Sequence, residues 1–343
     1  MRIAQIATLS APVRHDSSGS VESLVWLLTR ELGRLGHEVT VFATADSDPH
    51  CKLESVLPAP YGSSGSLDDW HLCEWLNLAH AVRKSDDFDI MHSHAYLWGL
   101  PLGPLSKSPI VHTLHIVPDE NAARLWSIHP EACVTAVSRH QWSAFPQLCP
   151  STVIHHGLDP ADFPFCERSE DYLLYLGRFV SGKGPLQAIA VARELGVRLI
   201  MAGQENAYFR EQVKPHVDGK GVEYAGYVTG RRKAELLGNA RALLYPIQYP
   251  EAFGLVLVEA MLCGTPVVAM NIGAVPEIVE HGVNGFCAAT LDEFRRFVPK
   301  SFELPRLPIR QGAQTRFSLA GMASAYIKLY GDLARQDRPP LSA

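Results

Sequence analysis

Apolar residues along this chain fall into two rhythms. Short runs rich in Ile, Val, Leu and Ala occupy Arg2 to Leu9, Glu38 to Ala43, Asp89 to His94, Ile110 to His115 and Val134 to Ser138. Such near-continuous runs predict strands buried on both faces of a parallel sheet. Between them, Val21 to Leu35, ended by Gly36, and Trp70 to Ser85 carry apolar residues at helical spacing. In the second of these, Leu72, Trp75, Leu76, Ala79 and Val82 are expected on one side. The same alternation restarts with strands at Tyr172 to Leu176, Val197 to Ala202, Val222 to Gly226, Leu243 to Pro246 and Thr265 to Met270, and a helix at Pro185 to Leu195. A last helix, Phe317 to Leu333, places Met322, Tyr326, Leu329 and Tyr330 at helical spacing. Strand and helix alternating in this way predict an α/β protein. With 343 residues there is room for two domains. The linker composition around Pro164 to Glu170 puts them at 1–165 and 166–316, with 317–343 as a terminal helical segment.

One stretch carries most of the chemistry. From Pro250, PEAFGLVLVEAMLCGTPVVAMNIGAVPEIVEHGVNGF reads as loop, helix, strand, loop and helix. Leu255 to Leu262 carries good helix formers with no breaker until Gly264, which suits a C′ glycine, and the helix is expected to start just after Glu251. Its first amides, at Ala252, Phe253, Gly254 and Leu255, would form a phosphate cradle, with glycine allowing close approach. Glu251 before the helix and Glu259 about two turns inside it could face one crevice from different depths. Gly273 to Glu280 is expected to begin a further helix behind Pro276.

These residues resemble the donor-binding signature of retaining glycosyltransferases of the GT-B type, family 4, in which two glutamates flank seven residues. The match extends through Ala260, Gly264, Thr265, Pro266, Val267, Val268, Gly273, Pro276 and Glu277. The resemblance implies two Rossmann-like domains facing across a cleft, with the last helix crossing back onto the first domain. It implies that Glu259 binds the ribose hydroxyls and Glu251 those of the donor sugar. Arg178 and Lys183, after the strand at Tyr172 to Leu176, match the family's pair of diphosphate-binding cations, which can stand in for a metal. Tyr227 and Val228 lie where loop backbone contacts the base. Gly19 and Ser20 lie in the loop whose backbone faces the donor phosphates; Ser20 stands where the family usually has a second glycine. His115 matches a position near the donor sugar. His92 and His94 end a neighbouring strand, and open α/β sheets bind ligands beyond the carboxyl ends of their strands. Where the family usually has Pro and Asn before Gly157, this chain has His155 and His156.

Composition narrows the reading further. Hydrophobic residues at 47% and charged residues at 20% describe a globular protein, and a net charge of −5 argues against nucleic acid as partner. Residues 1–165 hold 10 Lys/Arg against 18 Asp/Glu, a balance of −8, and the remainder 21 against 18, or +3. The second half is the one suited to a diphosphate. Seven cysteines without a CxxC pair fit a reducing compartment, and Met1 to Val13 suits a first strand better than a leader, so the expected location is the cytoplasm without stable membrane insertion. Asp46, Ser47 and Asp48 spell a DxD triplet but follow a strand as a polar turn would, so no metal ligand and no cofactor is expected. The activity expected is metal-independent transfer from a nucleotide diphosphate sugar, a UDP-sugar foremost, to a small soluble acceptor such as a natural product or oligosaccharide. A further resemblance, to glycosyltransferases of avilamycin-type antibiotic biosynthesis, points the same way. Transfer to a membrane acceptor, epimerisation of a UDP-sugar, and binding without turnover are the alternatives.

Overall fold

The computed structural model describes residues 1–63, 66–143 and 152–336. Ser151, the middle of the Gly62 to Ser66 loop, the side chain of Trp142 and the end of the 317–343 segment lie outside the described residues. The chain divides into two compact units, one formed by Met1–Gly157 with Leu319–Ala343, the other by Leu158–Ser318.

The first unit is built on a seven-stranded sheet: β1 (Arg2–Ile6), β2 (Glu38–Phe42), β3 (Lys52–Glu54), β4 (Ile90–Ser93), β5 (Ile110–Leu114), β6 (Cys133–Ala136) and β7 (Thr152–Val153). Their order is β3-β2-β1-β4-β5-β6-β7 and each pairing is parallel, with Ile3 opposite both Val39 and Ile90. The second unit holds β8 (Leu173–Leu176), β9 (Leu199–Ala202), β10 (Val222–Tyr224), β11 (Ala242–Tyr245), β12 (Val267–Met270) and β13 (Gly285–Ala288), in the order β10-β9-β8-β11-β12-β13, again parallel. Both are doubly wound α/β sheets, as the two restarts of the apolar pattern predict. In each, strand order reverses once, between β1 and β4 and between β8 and β11.

Three expectations need correcting. The helix Trp70–Arg83 does not keep the expected five on one side: Leu72, Trp75 and Leu76 are 48%, 36% and 40% exposed, while Val82 is buried with Cys73, Leu78 and Ala81 and with Glu74 and Asn77. The polar pair goes inward because the ends of β1 and β2 leave backbone groups to satisfy. Asn77 donates to Ala7 O and Phe42 O at 3.1 and 3.2 Å, and Glu74 accepts the Leu9 amide at 2.8 Å. The helix expected after Glu251 begins only at Leu255, because Gly254 at φ +91° breaks the approach. The segment after Gly273 makes a single turn, Val275–Ile278.

The second unit takes in Leu158 to Phe163, which precede the linker read from composition. Leu158 N–H donates to Phe317 O at 3.0 Å, and the Arg310 guanidinium donates to Phe163 O at 2.5 Å and to Pro160 O at 3.3 Å, tying this segment down. The terminal helix, Leu319–Gln336, lies in the first unit against the helix Ser20–Arg34 and β4, burying Tyr326 and Tyr330. No described helix is long and apolar enough to cross a membrane.

Candidate active site

In the second unit the chemistry gathers where strand order reverses, the place at which such sheets bind ligands. β8 runs into a turn bearing Arg178 and Lys183, and β11 into the loop bearing Glu251. Glycines let the two connections interlock. Gln248 N–H donates to Gly182 O at 2.8 Å. A Cβ on Gly182 would stand 2.5 Å from the Tyr249 ring, and one on Gly184, at φ +71°, 2.1 Å from Pro246 O. This contact sets Lys183 Nζ 2.5 Å from Glu251 Oε2 and 2.9 Å from the Tyr245 hydroxyl, which donates to the same carboxylate oxygen. The ammonium also lies 5.2 and 5.1 Å from the ring centroids of Tyr245 and Tyr249.

Burial works to raise the Glu251 carboxyl, but Lys183's charge and the hydrogen bonds from Lys183, Tyr245 and the Ala252 amide outweigh it and hold the group below its ordinary value. Burial, and then the neighbouring Glu251 carboxylate, push the Tyr245 phenol well above its own. The backbone of Glu251 is gripped from the far side. Ala274 N–H donates to Glu251 O at 2.9 Å, and a Cβ on Gly273, at φ +67°, would fall 2.2 Å from Glu251 N.

Ala252, Phe253 and Gly254 are buried at the start of the helix Leu255–Leu262, and Leu255 is half-buried. Glu259, buried inside that helix, is paired with Lys233 at 2.7 Å, and the lysine lies 5.9 Å from the Phe163 ring centroid. Tyr227 is 53% exposed; burial raises its phenol and the charge of Lys233 opposes the rise, so Tyr227, Lys233 and Glu259 form one neighbourhood. Val228 beside it is half-buried. The Arg178 side chain is exposed, and its guanidinium makes no hydrogen bond or ion pair among the described residues. Among the described residues there is also no group of three or more His, Cys, Asp or Glu that could hold a metal ion. Asp46 to Asp48 follow β2 as a turn, with the Ser47 hydroxyl accepting the Val13 amide.

The first unit presents its own set at its switch point. Gly19 caps the helix Ser20–Arg34, and a Cβ there would stand 1.9 Å from Glu22 Oε2. That buried carboxylate fills the space: its Oε1 accepts from the hydroxyls of Thr8 and Ser10 at 2.6 and 2.5 Å and from the Ala11 amide at 3.2 Å. Ser20 is exposed. Close by, Glu74 has one buried oxygen without a partner among the described residues, and burial raises its carboxyl to about 7.

His115, just past β5, shares a hydrogen bond of 2.9 Å with His94, just past β4, and stacks on His156 with centroids 5.3 Å apart. Burial lowers His115 to about 4 and takes His92, His94 and His156 well below the ordinary histidine value, so all four are neutral at neutral pH. Sequence reasoning missed Lys233, Tyr245, Gln5 and Glu74. Glu74 and Asn77, three apart and flanked by apolar residues on one helix, were the visible signal.

Comparison with known proteins places the chain in a family. A family model for glycosyl transferases group 1 matches residues 165–296, and one for glycosyltransferase family 4 matches 21–162. The chain is 29% identical over 237 residues to a glycogen synthase of Mycobacterium tuberculosis; the match covers 60% of this chain and spans only 57% of that relative. It is 28% identical to a D-inositol 3-phosphate glycosyltransferase of Mycobacterium marinum, over 83% of this chain and 73% of the relative. Among solved structures, AviGT4, a glycosyltransferase involved in avilamycin A biosynthesis, superposes with a TM-score of 0.74 at 27% identity, covering 98% of each chain. Anabaena Alr3699/HepE in complex with UDP and glucose superposes with 0.74 at 21% identity, covering 97% of this chain and all of that one. Matched in each half by a glycosyltransferase family model and along nearly its full length by these structures, the chain belongs to the GT-B glycosyltransferases.

Proposed function

We propose that this chain is a retaining glycosyltransferase that moves a sugar from a UDP-sugar to a small soluble acceptor, without a metal ion. The observation that carries the reading is the Lys183, Glu251 and Tyr245 cluster, which shares its turn after β8 with the exposed Arg178, whose guanidinium has no partner among the described residues, at the reversal of strand order. Cleaving a sugar to phosphate bond needs charge opposite the diphosphate leaving group and support for an oxocarbenium-like centre. Arg178 and Lys183 supply the cations, with the amides of Ala252, Phe253, Gly254 and Leu255 at the helix start adding donors. In the first unit, the backbone at Gly19 and Ser20, at the start of the helix Ser20–Arg34, suits a phosphate. Glu251, kept ionised by Lys183, is an acceptor for donor-sugar hydroxyls and orients rather than attacks. Glu259, with one oxygen on Lys233, keeps the other for ribose hydroxyls, and the backbone at Tyr227 and Val228 takes the base. Attack occurs on the face the diphosphate leaves, and the departing phosphate helps remove the acceptor's proton.

UDP and glucose in HepE support the donor class, and the inositol phosphate named for the mycobacterial relative and the antibiotic pathway named for AviGT4 support a small acceptor. The site of action is the cytoplasm, a reading supported by seven cysteines without a CxxC pair, which suit a reducing compartment. A second reading, transfer to a membrane-borne acceptor, is favoured by the exposed Leu72, Trp75 and Leu76; sedimentation with liposomes separates the two. The test is incubation with UDP-, dTDP-, GDP- and ADP-sugars in excess chelator, with nuclear magnetic resonance of the product's anomeric centre. Acceptor-dependent UDP release with retained configuration is expected. An inverted product, or a new UDP-sugar formed without acceptor, overturns the reading.

A further inference from the structure

The first unit contains a continuous buried polar chain that ends at His115. His115 Nε2 meets His94 Nδ1 at 2.9 Å, and His94 Nε2 meets Gln5 Oε1 at 2.9 Å. Gln5 Nε2 donates to the Tyr330 hydroxyl at 3.2 Å, and that hydroxyl meets His92 Nδ1 at 2.6 Å. His92 Nε2 then meets Thr113 Oγ1 at 2.6 Å, which in turn meets Thr135 Oγ1 at 2.7 Å and the Tyr326 hydroxyl at 3.0 Å. Gln5, His92, Thr113, Thr135 and Tyr330 are wholly buried, and His94 and Tyr326 nearly so. The chain runs from the carboxyl edge of the sheet, through β1, to the terminal helix and back to β4 and β5.

Donor and acceptor roles follow around this chain from one group. An amide has a carbonyl that only accepts and a nitrogen that only donates. Gln5 Oε1 faces His94, so His94 carries its proton on Nε2 and offers Nδ1 as acceptor. His115 must then donate from Nε2, which leaves its Nδ1 bare. In the other direction the Tyr330 hydroxyl, having accepted from Gln5, donates to His92 Nδ1, and His92 donates from Nε2 to Thr113. Each polar atom in the chain is matched when every histidine is neutral, the state burial already imposes. His115 Nδ1 is the exception: it is buried and has no partner among the described residues.

We propose that Gln5, His94 and Tyr330 are positioning residues that fix the tautomer of His115, so that Nδ1 is presented as a hydrogen-bond acceptor for a hydroxyl of the sugar substrate. This rests on the transferase reading above. The terminal helix is thereby coupled to substrate recognition: Tyr330 is three hydrogen bonds from His115, and its hydroxyl gives the Gln5 amide a buried partner that anchors the side chain within the chain. A turned amide would reverse every donor along the chain and put the proton of His115 on Nδ1, where it would meet a substrate hydroxyl as a donor instead.

The test reads the tautomer directly and needs no substrate. In the full chain labelled with 15N-histidine, long-range proton to nitrogen correlations distinguish Nδ1–H from Nε2–H. Wild type is expected to show His115, His94 and His92 in the Nε2–H form. Tyr330→Phe, which leaves the rings packed, removes the hydrogen bond that anchors the Gln5 side chain, worth about a five- to tenfold preference for its place beside His94, so His115 should become a mixture. Gln5→Leu should do the same. His115 as Nδ1–H in wild type, or an unchanged His115 spectrum in both folded variants, overturns the proposal. With transfer measurable, Tyr330→Phe should raise the donor KM or lower kcat without altering UDP affinity. Loss of UDP binding in wild type would instead defeat the transferase reading and leave the tautomer result standing.

Discussion

Replacing Lys183 with Met removes the partner of a buried carboxylate, and the geometry gives the size of the effect. The Lys183 and Glu251 side chains are only 13% and 17% exposed and meet at 2.5 Å. Removing one member of such a pair costs about 3–5 kcal/mol, because the other charge stays buried. The sign changes with pH. In wild type Glu251 titrates below its unfolded value, so its contribution is present above about pH 4.5 and is lost as pH falls. Without Lys183, burial is opposed only by Tyr245 and the Ala252 amide, and the carboxyl rises above its unfolded value; the variant then loses stability as pH rises past that value. The deficit should therefore be small near pH 4.5 and full at pH 8. All six tryptophans lie within residues 1–165, so fluorescence would miss the event. Hydrogen exchange of peptides spanning 245–262 during urea unfolding reports it. Lys183→Met/Glu251→Gln should recover about 3 kcal/mol of the loss at pH 8. An equal deficit at both pH values, or a double variant no better than the single one, would refute the reasoning.

Other expectations follow from the same geometry. Glu74, raised from 4.5 to about 7, binds more protons folded than unfolded between those values. Its share of stability therefore falls as pH rises through that window, by about 3 kcal/mol. Glu74→Gln should unfold at higher urea than wild type at pH 8, followed by tryptophan fluorescence, and equal midpoints would show the carboxyl is not strained. His112 and His115, each lowered from 6.5 to about 4, bind fewer protons folded, so stability is complete above pH 6.5 and drains as pH falls toward 4, by up to about 3 kcal/mol each. The first unit should then unfold between pH 6 and 4, and His112→Phe should move the transition lower; an unmoved midpoint assigns it to other groups. Gly273→Ala should cost about 1–3 kcal/mol or more from its φ alone, with turnover falling further as Glu251 is pushed away. Wild-type calorimetry and kinetics would mean that Gly273 does not hold Glu251.

Much of the fold was legible because parallel strands announce themselves as continuous apolar runs. β1, β2, β4, β5, β8, β9 and β11 each lie within or at one residue from a run visible in the sequence. β3 and β7, short edge strands of three and two residues, have too few positions to show a rhythm. The buried face of the Trp70–Arg83 helix was not legible from its apolar spacing, because Glu74 and Asn77 go inside to satisfy strand-end amides and carbonyls. The candidate site was legible where a residue type and its spacing sufficed, as for Glu251, Glu259, Arg178 and Lys183. Its pairings were not. That Lys183 rests on Glu251 and Tyr245 depends on loops brought together by Gly182, Gly184 and Gly273, and that Lys233 rests on Glu259 depends on the packing of the helix Gly230–Asn239 against Leu255–Leu262. The chain from His115 to Tyr330 joins residues far apart in sequence through three strands and a helix.

The measurement closest to the central claim is calorimetric titration of UDP in excess chelator against wild type, Arg178→Ala and Glu259→Ala. Metal-free binding by wild type is expected, with Glu259→Ala weakened by roughly 1.5–3 kcal/mol, about ten- to a hundredfold, and Arg178→Ala weakened as well. Absence of binding by UDP, dTDP, GDP and ADP alike, or equal affinity in all three proteins, would contradict the account.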